Sequence, residues 1–174
     1  MTSLAWEIAK NTTLNVEKGY QCDKNDRGNW TSGTIGVGEC KGTKYGICAM
    51  SYPELDIKNL TLDEALLIYR RNYWDKTKCD WLPDALSVAV FDYAFHSGTM
   101  QAIKDLQRAL GVTADGVIGN QTLGACNSKP LKQVLEKYFD NRLDFMIKCK
   151  GWTTYCKGWI NRWYTVKQIC ERLI

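Results

Sequence analysis

One histidine, His96, stands in 174 residues, and neither a Cys-x-x-Cys pair nor more than three prolines accompany it. The lone imidazole removes most zinc chemistry, since such sites draw on several histidines or on closely paired cysteines. No metal and no other cofactor is therefore expected. A Ser-His or Cys-His hydrolase would have to be built on His96 alone, and no cysteine lies in a nucleophile motif. Long apolar runs are missing too. The most apolar stretch, Ala85 to Phe95, is broken by Ser87 and Asp92 and is too short for a bilayer, so no stable membrane insertion is expected. The start, MTSLAWEIAKN, lacks a basic head, an apolar block and a small-residue cleavage site. That reads as a chain made in the cytoplasm without a signal peptide. Clustered positive charge is also lacking: a net charge of +4 with a pI near 8.6 is too mild for a nucleic-acid partner. It suits weak attraction to an anionic polymer.

Cysteine, by contrast, is plentiful. Eight thiols, at 22, 40, 48, 79, 126, 149, 156 and 170, are many for a reducing compartment. Buried free thiols and a few disulfides formed after export both stay open, and the pairing cannot be read from spacing. With 45% hydrophobic and 24% charged residues, the chain suits a compact, monomeric domain with two lobes.

The chemistry concentrates between Val16 and Ile47, VEKGYQCDKNDRGNWTSGTIGVGECKGTKYGI. Leu4 to Val16 carries Leu4, Ile8 and Ala5, Ala9 at helical spacing, and Gly19 supplies the left-handed geometry that ends helices. One carboxylate, Glu17, thus stands at a fixed helix end. Asp26 follows after eight residues, enough chain to turn back and face Glu17 across a cleft. Two carboxylates so placed, one protonated and one ionised, are what cleavage of a glycosidic bond needs. On spacing alone, Glu17 could equally be a helix-end surface residue and Asp26 a turn former beside Gly28.

Three pieces of this stretch change that weighting: Glu17-Lys18-Gly19-Tyr20, Asp26-Arg27-Gly28-Asn29-Trp30 and Thr43-Lys44-Tyr45-Gly46-Ile47. Their order resembles the N-terminal motif of glycoside hydrolase family 108, the phage and bacterial N-acetylmuramidases, with Lys18 where the family prefers glycine. The resemblance implies Glu17 as general acid, Asp26 as the group that stabilises positive charge or orients water, and a threonine to hold that water. Thr43, next to Tyr45-Gly46-Ile47, is preferred for the third role, with Thr31 the alternative. Tyr20, Trp30, Tyr45 and His96 are the candidate substrate contacts. Trp30 and Tyr45 could stack on sugar faces or cap a thin hydrophobic core, and His96 could line the cleft or bond the last carbonyls of its helix. Residues 18–50 should be irregular hairpin, with Thr34-Ile35-Gly36-Val37 among its β-prone pieces.

The remainder reads as helices. Thr61-Leu62-Asp63-Glu64 fits a capping box, and Pro83 suits the first turn of a central buried helix over Ala85–Phe95. Asp92 inside that helix needs partners. Thr99 to Leu110, closed by Gly111, opens a second pattern, Leu106-Gln107-Arg108-Ala109-Leu110-Gly111 with Asp115-Gly116-Val117-Ile118-Gly119. It resembles a peptidoglycan-binding repeat, with a positive-φ turn at Asp115-Gly116 and close helix packing at Gly119. Pro130 begins a helix to about Cys149 that Gly151 ends, and Lys157-Gly158-Trp159 to Trp163 is similar to the family's closing element. The fold expected is mainly α, an α+β lysozyme-like helical bundle with a small irregular β-hairpin lobe near the N-terminus. Residues 1–98 would be catalytic and 99–174 peptidoglycan-binding-like, packed together.

What the resemblance implies for function is hydrolysis of the β-1,4 bond between N-acetylmuramic acid and N-acetylglucosamine in peptidoglycan. The setting implied is a phage or prophage endolysin acting on the periplasmic wall after a separate holin-like partner lets it through. A lytic transglycosylase and a non-catalytic wall-binding module are the rivals.

Overall fold

The computed structural model describes residues 3–16 and 19–174, so Glu17 and Lys18 lie outside the described residues. Among the described residues it holds seven α-helices and one three-stranded sheet. The fold is mainly α with a small sheet near the N-terminus, as expected. Helix α1 spans Leu4–Val16. Ala5, Trp6 and Ala9 form its buried side while Leu4 is 63% exposed. Gly19, just beyond, has φ +68°.

The chain forms two compact units, residues 11–69 and residues 1–10 with 70–174. In the first, β1 (Tyr20–Gln21), β2 (Thr43–Lys44) and β3 (Ile47–Cys48) make an antiparallel sheet in that order. Tyr45 and Gly46 join β2 to β3 with φ of 50° and 66°. Two consecutive left-handed residues make the type I′ hairpin whose twist matches that of the flanking strands. Thr34-Ile35-Gly36-Val37 is a correction: it is a turn, with the Val37 N–H donating to the Thr34 carbonyl at 3.1 Å. The left-handed glycines around it bend the chain before a strand can form, and Ile35 and Val37 stay 53% exposed. The capping box is present at the start of α2 (Leu62–Tyr69). The Thr61 N–H donates to Glu64 Oε2 at 2.8 Å and the Glu64 N–H to Thr61 Oγ1 at 3.3 Å. Among the described residues, Ile47, Ala49, Ile57, Leu60, Ala65 and Tyr69 are the buried apolar residues of this unit.

The second unit is built on α3 (Asp84–Ser97), whose Ala85, Leu86, Val88, Ala89, Val90, Phe91, Tyr93 and Ala94 are all fully buried. Apolar residues on every face demand neighbours on every face. The structure provides α4 (Thr99–Leu110), α6 (Leu131–Lys148) and α7 (Trp152–Glu171) around it, with α5 (Asn120–Ser128) against α4. Pro83 sits one position before the first turn of α3, as its N-cap. Asp92, 2% exposed, finds the partners its burial requires. Arg142 Nη2 on α6 lies 2.8 Å from Oδ2, and Arg162 on α7 reaches Oδ1 with Nε and Nη2, both at 2.9 Å. One carboxylate therefore pins three helices. Burial alone would raise its pKa, but Arg162 and Arg142 outweigh that and hold it at about 2.

Two glycine assignments are corrected. Gly151 does not end α6, because Cys149 leaves the helix in extended geometry and Gly151, with φ −78°, caps the start of α7. A side chain there would press on Tyr155 and Trp159, so smallness is what the position requires. Gly119 is not a close-packing site, since a Cβ there would meet nothing within 4 Å; it caps α5. The Asp115-Gly116 turn is as expected, with Gly116 at φ +83°. Gln107, 1% exposed, holds it, donating to Asp115 Oδ1 at 2.7 Å and accepting from the Gly116 N–H at 2.8 Å.

Candidate active site

Glu17, the first of the sequence candidates, lies outside the described residues. The chain that follows it is organised by a residue the motif contained but spacing did not single out, Asn29. Asp26 accepts the Gly28 N–H on Oδ1 at 2.9 Å and so caps a single 3-10 turn, Arg27–Asn29. That turn buries Asn29 completely. Its amide nitrogen donates to Gln21 Oε1 and to the Asp23 carbonyl, both at 2.9 Å. Its amide oxygen accepts from Thr43 Oγ1 at 2.7 Å and from Gln21 Nε2 at 3.1 Å. The Asn29 carbonyl accepts from the Lys41 and Gly42 N–H groups at 2.9 and 3.1 Å. Gln21 and Thr43 are directly paired across β1 and β2. Cross-strand partners share a face, so one asparagine ties both to the turn that carries Asp26.

Thr43 and Thr31 now separate by their partners. Thr31 braces its own loop, its hydroxyl accepting the Glu39 N–H at 3.0 Å and its N–H bonding the Glu39 carbonyl at 2.9 Å. Thr43, half-buried, spends its proton on Asn29. Its oxygen keeps only acceptor capacity. Asp26 is exposed, with Oδ1 engaged by the cap.

Among the candidate substrate contacts, Tyr20 is 41% exposed and its hydroxyl pKa is raised, first by a hydrogen bond with Cys22 and then by burial. Trp30 is half-buried, and its indole N–H donates to the Lys24 carbonyl at 3.0 Å. Tyr45 holds φ +50°, a conformation costly for a residue with a bulky side chain. The Tyr69 hydroxyl donates to the Tyr45 carbonyl at 2.6 Å and Lys44 Nζ stands 5.5 Å from the Tyr45 ring, so the strained turn is braced from both sides.

His96 belongs to the helical unit. Its Nδ1 is 2.8 Å from Ser97 Oγ and its ring meets Trp159 edge-on at 5.3 Å. Burial, helped by Arg142 and Arg162 against Asp92, lowers its pKa to about 4. At neutral pH it is an uncharged hydrogen-bonding group. Trp163 packs on Phe139 at 5.8 Å and donates its indole N–H to the Phe139 carbonyl at 2.9 Å. No group of three or more His, Cys, Asp or Glu converges as a metal site among the described residues. No helix of the described residues is long and apolar enough to cross a membrane.

Comparison with known proteins places this geometry in a family. Residues 10–98 match Glycosyl hydrolase 108, and residues 101–164 match a predicted peptidoglycan domain. No curated protein matches the chain. Among solved structures, that of Brucella abortus SagA is similar at 30% identity with a TM-score of 0.84, over 97% of this chain and 94% of that one. The chain belongs to the glycosyl hydrolase 108 family and is a glycoside hydrolase that acts on peptidoglycan of the cell wall.

Proposed function

We propose that the chain is an N-acetylmuramidase that cuts the β-1,4 bond between N-acetylmuramic acid and N-acetylglucosamine, with Glu17 as general acid. Glu17 protonates the leaving oxygen, Asp26 stabilises the positive charge that develops on the sugar, and a water held at Thr43 attacks the anomeric carbon and releases its proton to solvent, from which Glu17 is reprotonated. The observation that carries this reading is the Thr43–Asn29 bond. With its proton committed to Asn29, the Thr43 hydroxyl can only accept a hydrogen from water. That leaves a water lone pair free for attack. The exposed carboxylate of Asp26, held on a capped turn by the same asparagine network, supports a neighbouring electrostatic role. Tyr20, Trp30 and Tyr45 supply ring faces for the glycan. The biological setting in this reading is phage or prophage endolysis, with a separate holin-like partner.

Replacing Glu17 by Gln tests it. The variant should keep its thermal midpoint and lose turbidity clearance of purified sacculi, and a fully active variant would discard the assignment. Mass spectrometry of the released muropeptides distinguishes reducing-end sugars from the anhydro-sugars of a transglycosylase.

A further inference from the structure

Cys22 Sγ lies 3.0 Å from Cys40 Sγ and 3.4 Å from the Cys40 carbonyl oxygen. Neither position is accidental. Cys22 follows β1 directly, in a register set by the Gln21 to Thr43 pairing. Cys40 is bridged to Trp30 across an isolated antiparallel pair, three residues before β2. Both ends of the contact are thus held by backbone pairing. Both residues are half-buried, within reach of a soluble oxidant.

Five of the other six thiols are placed differently. Cys79, Cys126 and Cys170 are buried in the core, and burial pushes Cys79 up to about 12 and Cys126 up to about 11. Cys48 donates to Ser51 Oγ at 3.3 Å and Cys149 to the Phe145 carbonyl at 3.4 Å. The three buried thiols, Cys79, Cys126 and Cys170, behave as small apolar groups.

We infer that Cys22 and Cys40 are a disulfide-forming pair that closes when the chain meets a disulfide oxidant such as oxidised glutathione. The thiolate of one cysteine attacks a sulfur of the oxidant, whose S–S bond breaks and releases one glutathione thiol. The second cysteine then displaces the other glutathione from the mixed disulfide. Two cysteine thiols are oxidised by two electrons, the oxidant is reduced by two, and the two thiol hydrogens leave on two molecules of glutathione. While reduced, Cys40 has a raised pKa, first through its hydrogen bond with Cys22.

Closure would enclose residues 23–39, including Asp26, Asn29 and Trp30, in a covalent ring. The ring pins the loop whose asparagine holds Gln21 and Thr43. This inference stands apart from the assignment of the glycan bond, because its test needs no substrate.

The full chain is incubated with oxidised glutathione, residual thiols are alkylated, and a proteolytic digest is mapped without reductant by mass spectrometry. A peptide pair joined through Cys22 and Cys40 and lighter by two hydrogens is expected. In a Cys40→Ser chain, Cys22 should instead carry glutathione. The oxidised wild-type chain should also melt roughly 5–10 °C above the reduced one, as expected for a loop of this length. Recovery of Cys22 and Cys40 alkylated or separately glutathionylated, or joined to other cysteines, overturns the pairing. An unchanged melting temperature overturns the claim that the ring pins the loop.

Discussion

Asn29 and Thr43 are joined by a 2.7 Å hydrogen bond in which the threonine hydroxyl donates to the amide oxygen of a completely buried side chain. The same amide serves Gln21 and the Asp23 carbonyl. Asn29→Ala would strand those partners and should cost roughly 2–3 kcal/mol, read as a lower urea midpoint. Thr43→Val keeps the shape and loses only the hydroxyl. Activity on sacculi should then fall about 10- to 100-fold with a stability loss of about 1 kcal/mol. Thr43→Ser should retain most of both, and a fully active Thr43→Val would remove Thr43 from the reaction.

Tyr45 sits at the first position of a type I′ turn, where asparagine and glycine are at home. Tyr45→Asn should relieve the backbone and raise stability by about 1 kcal/mol, while binding of chitin-type or muropeptide oligomers weakens. Calorimetry and a glycan-binding titration on the same variant read the two effects. If stability drops and binding holds, the ring is a packing residue.

The buried trio of Asp92, Arg142 and Arg162 gives a sharper test of the fold. Asp92→Ala leaves two guanidinium groups without their carboxylate and should cost about 3–5 kcal/mol, measurable by denaturant titration. The acid behaviour follows from its depressed pKa of about 2. An ordinary aspartate titrates near 3.9 when unfolded, so the contribution of Asp92 is complete above about pH 4 and is lost as pH falls toward 2. A flat stability profile across that interval would contradict the assignment.

His96 works in the opposite sense to a histidine that gains an anionic partner. Its folded pKa of about 4 lies below the unfolded value near 6.5. Between those limits the unfolded chain takes up a proton that the folded chain refuses, so stability falls as pH drops from about 6.5 to 4 and levels below that. His96→Asn should flatten this interval by roughly 1–3 kcal/mol. Stability curves of the two proteins at pH 7 and pH 4.5 should therefore converge for the variant and diverge for the wild type.

Local patterning carried much of the fold. The Thr61–Glu64 cap, the apolar surround of Ala85–Phe95 and the Asp115-Gly116 turn all depend on residues within a few positions of each other, so their geometry follows from near neighbours. The need of Asp92 for partners was legible as well, though not which arginines would answer it. Asn29 was missed as the pivot of the candidate site. It reads as an ordinary turn residue after Asp-x-Gly, and only its burial beneath Gln21 and Thr43 gives its amide four bonds. The β-prone Thr34–Val37 misled for the converse reason, since strand propensity without a partner strand yields a turn.

The order of motifs from Glu17 to Trp163 and the 3.6-residue apolar rhythm of the helices belong to the sequence, because each is decided within a few turns of chain. Tertiary structure alone decided which arginines neutralise Asp92, which threonine shares its proton with Asn29, and which two of eight thiols lie sulfur to sulfur. Each of those contacts spans fourteen or more residues, where the meeting of side chains depends on how whole elements pack and on nothing that neighbouring residues can specify.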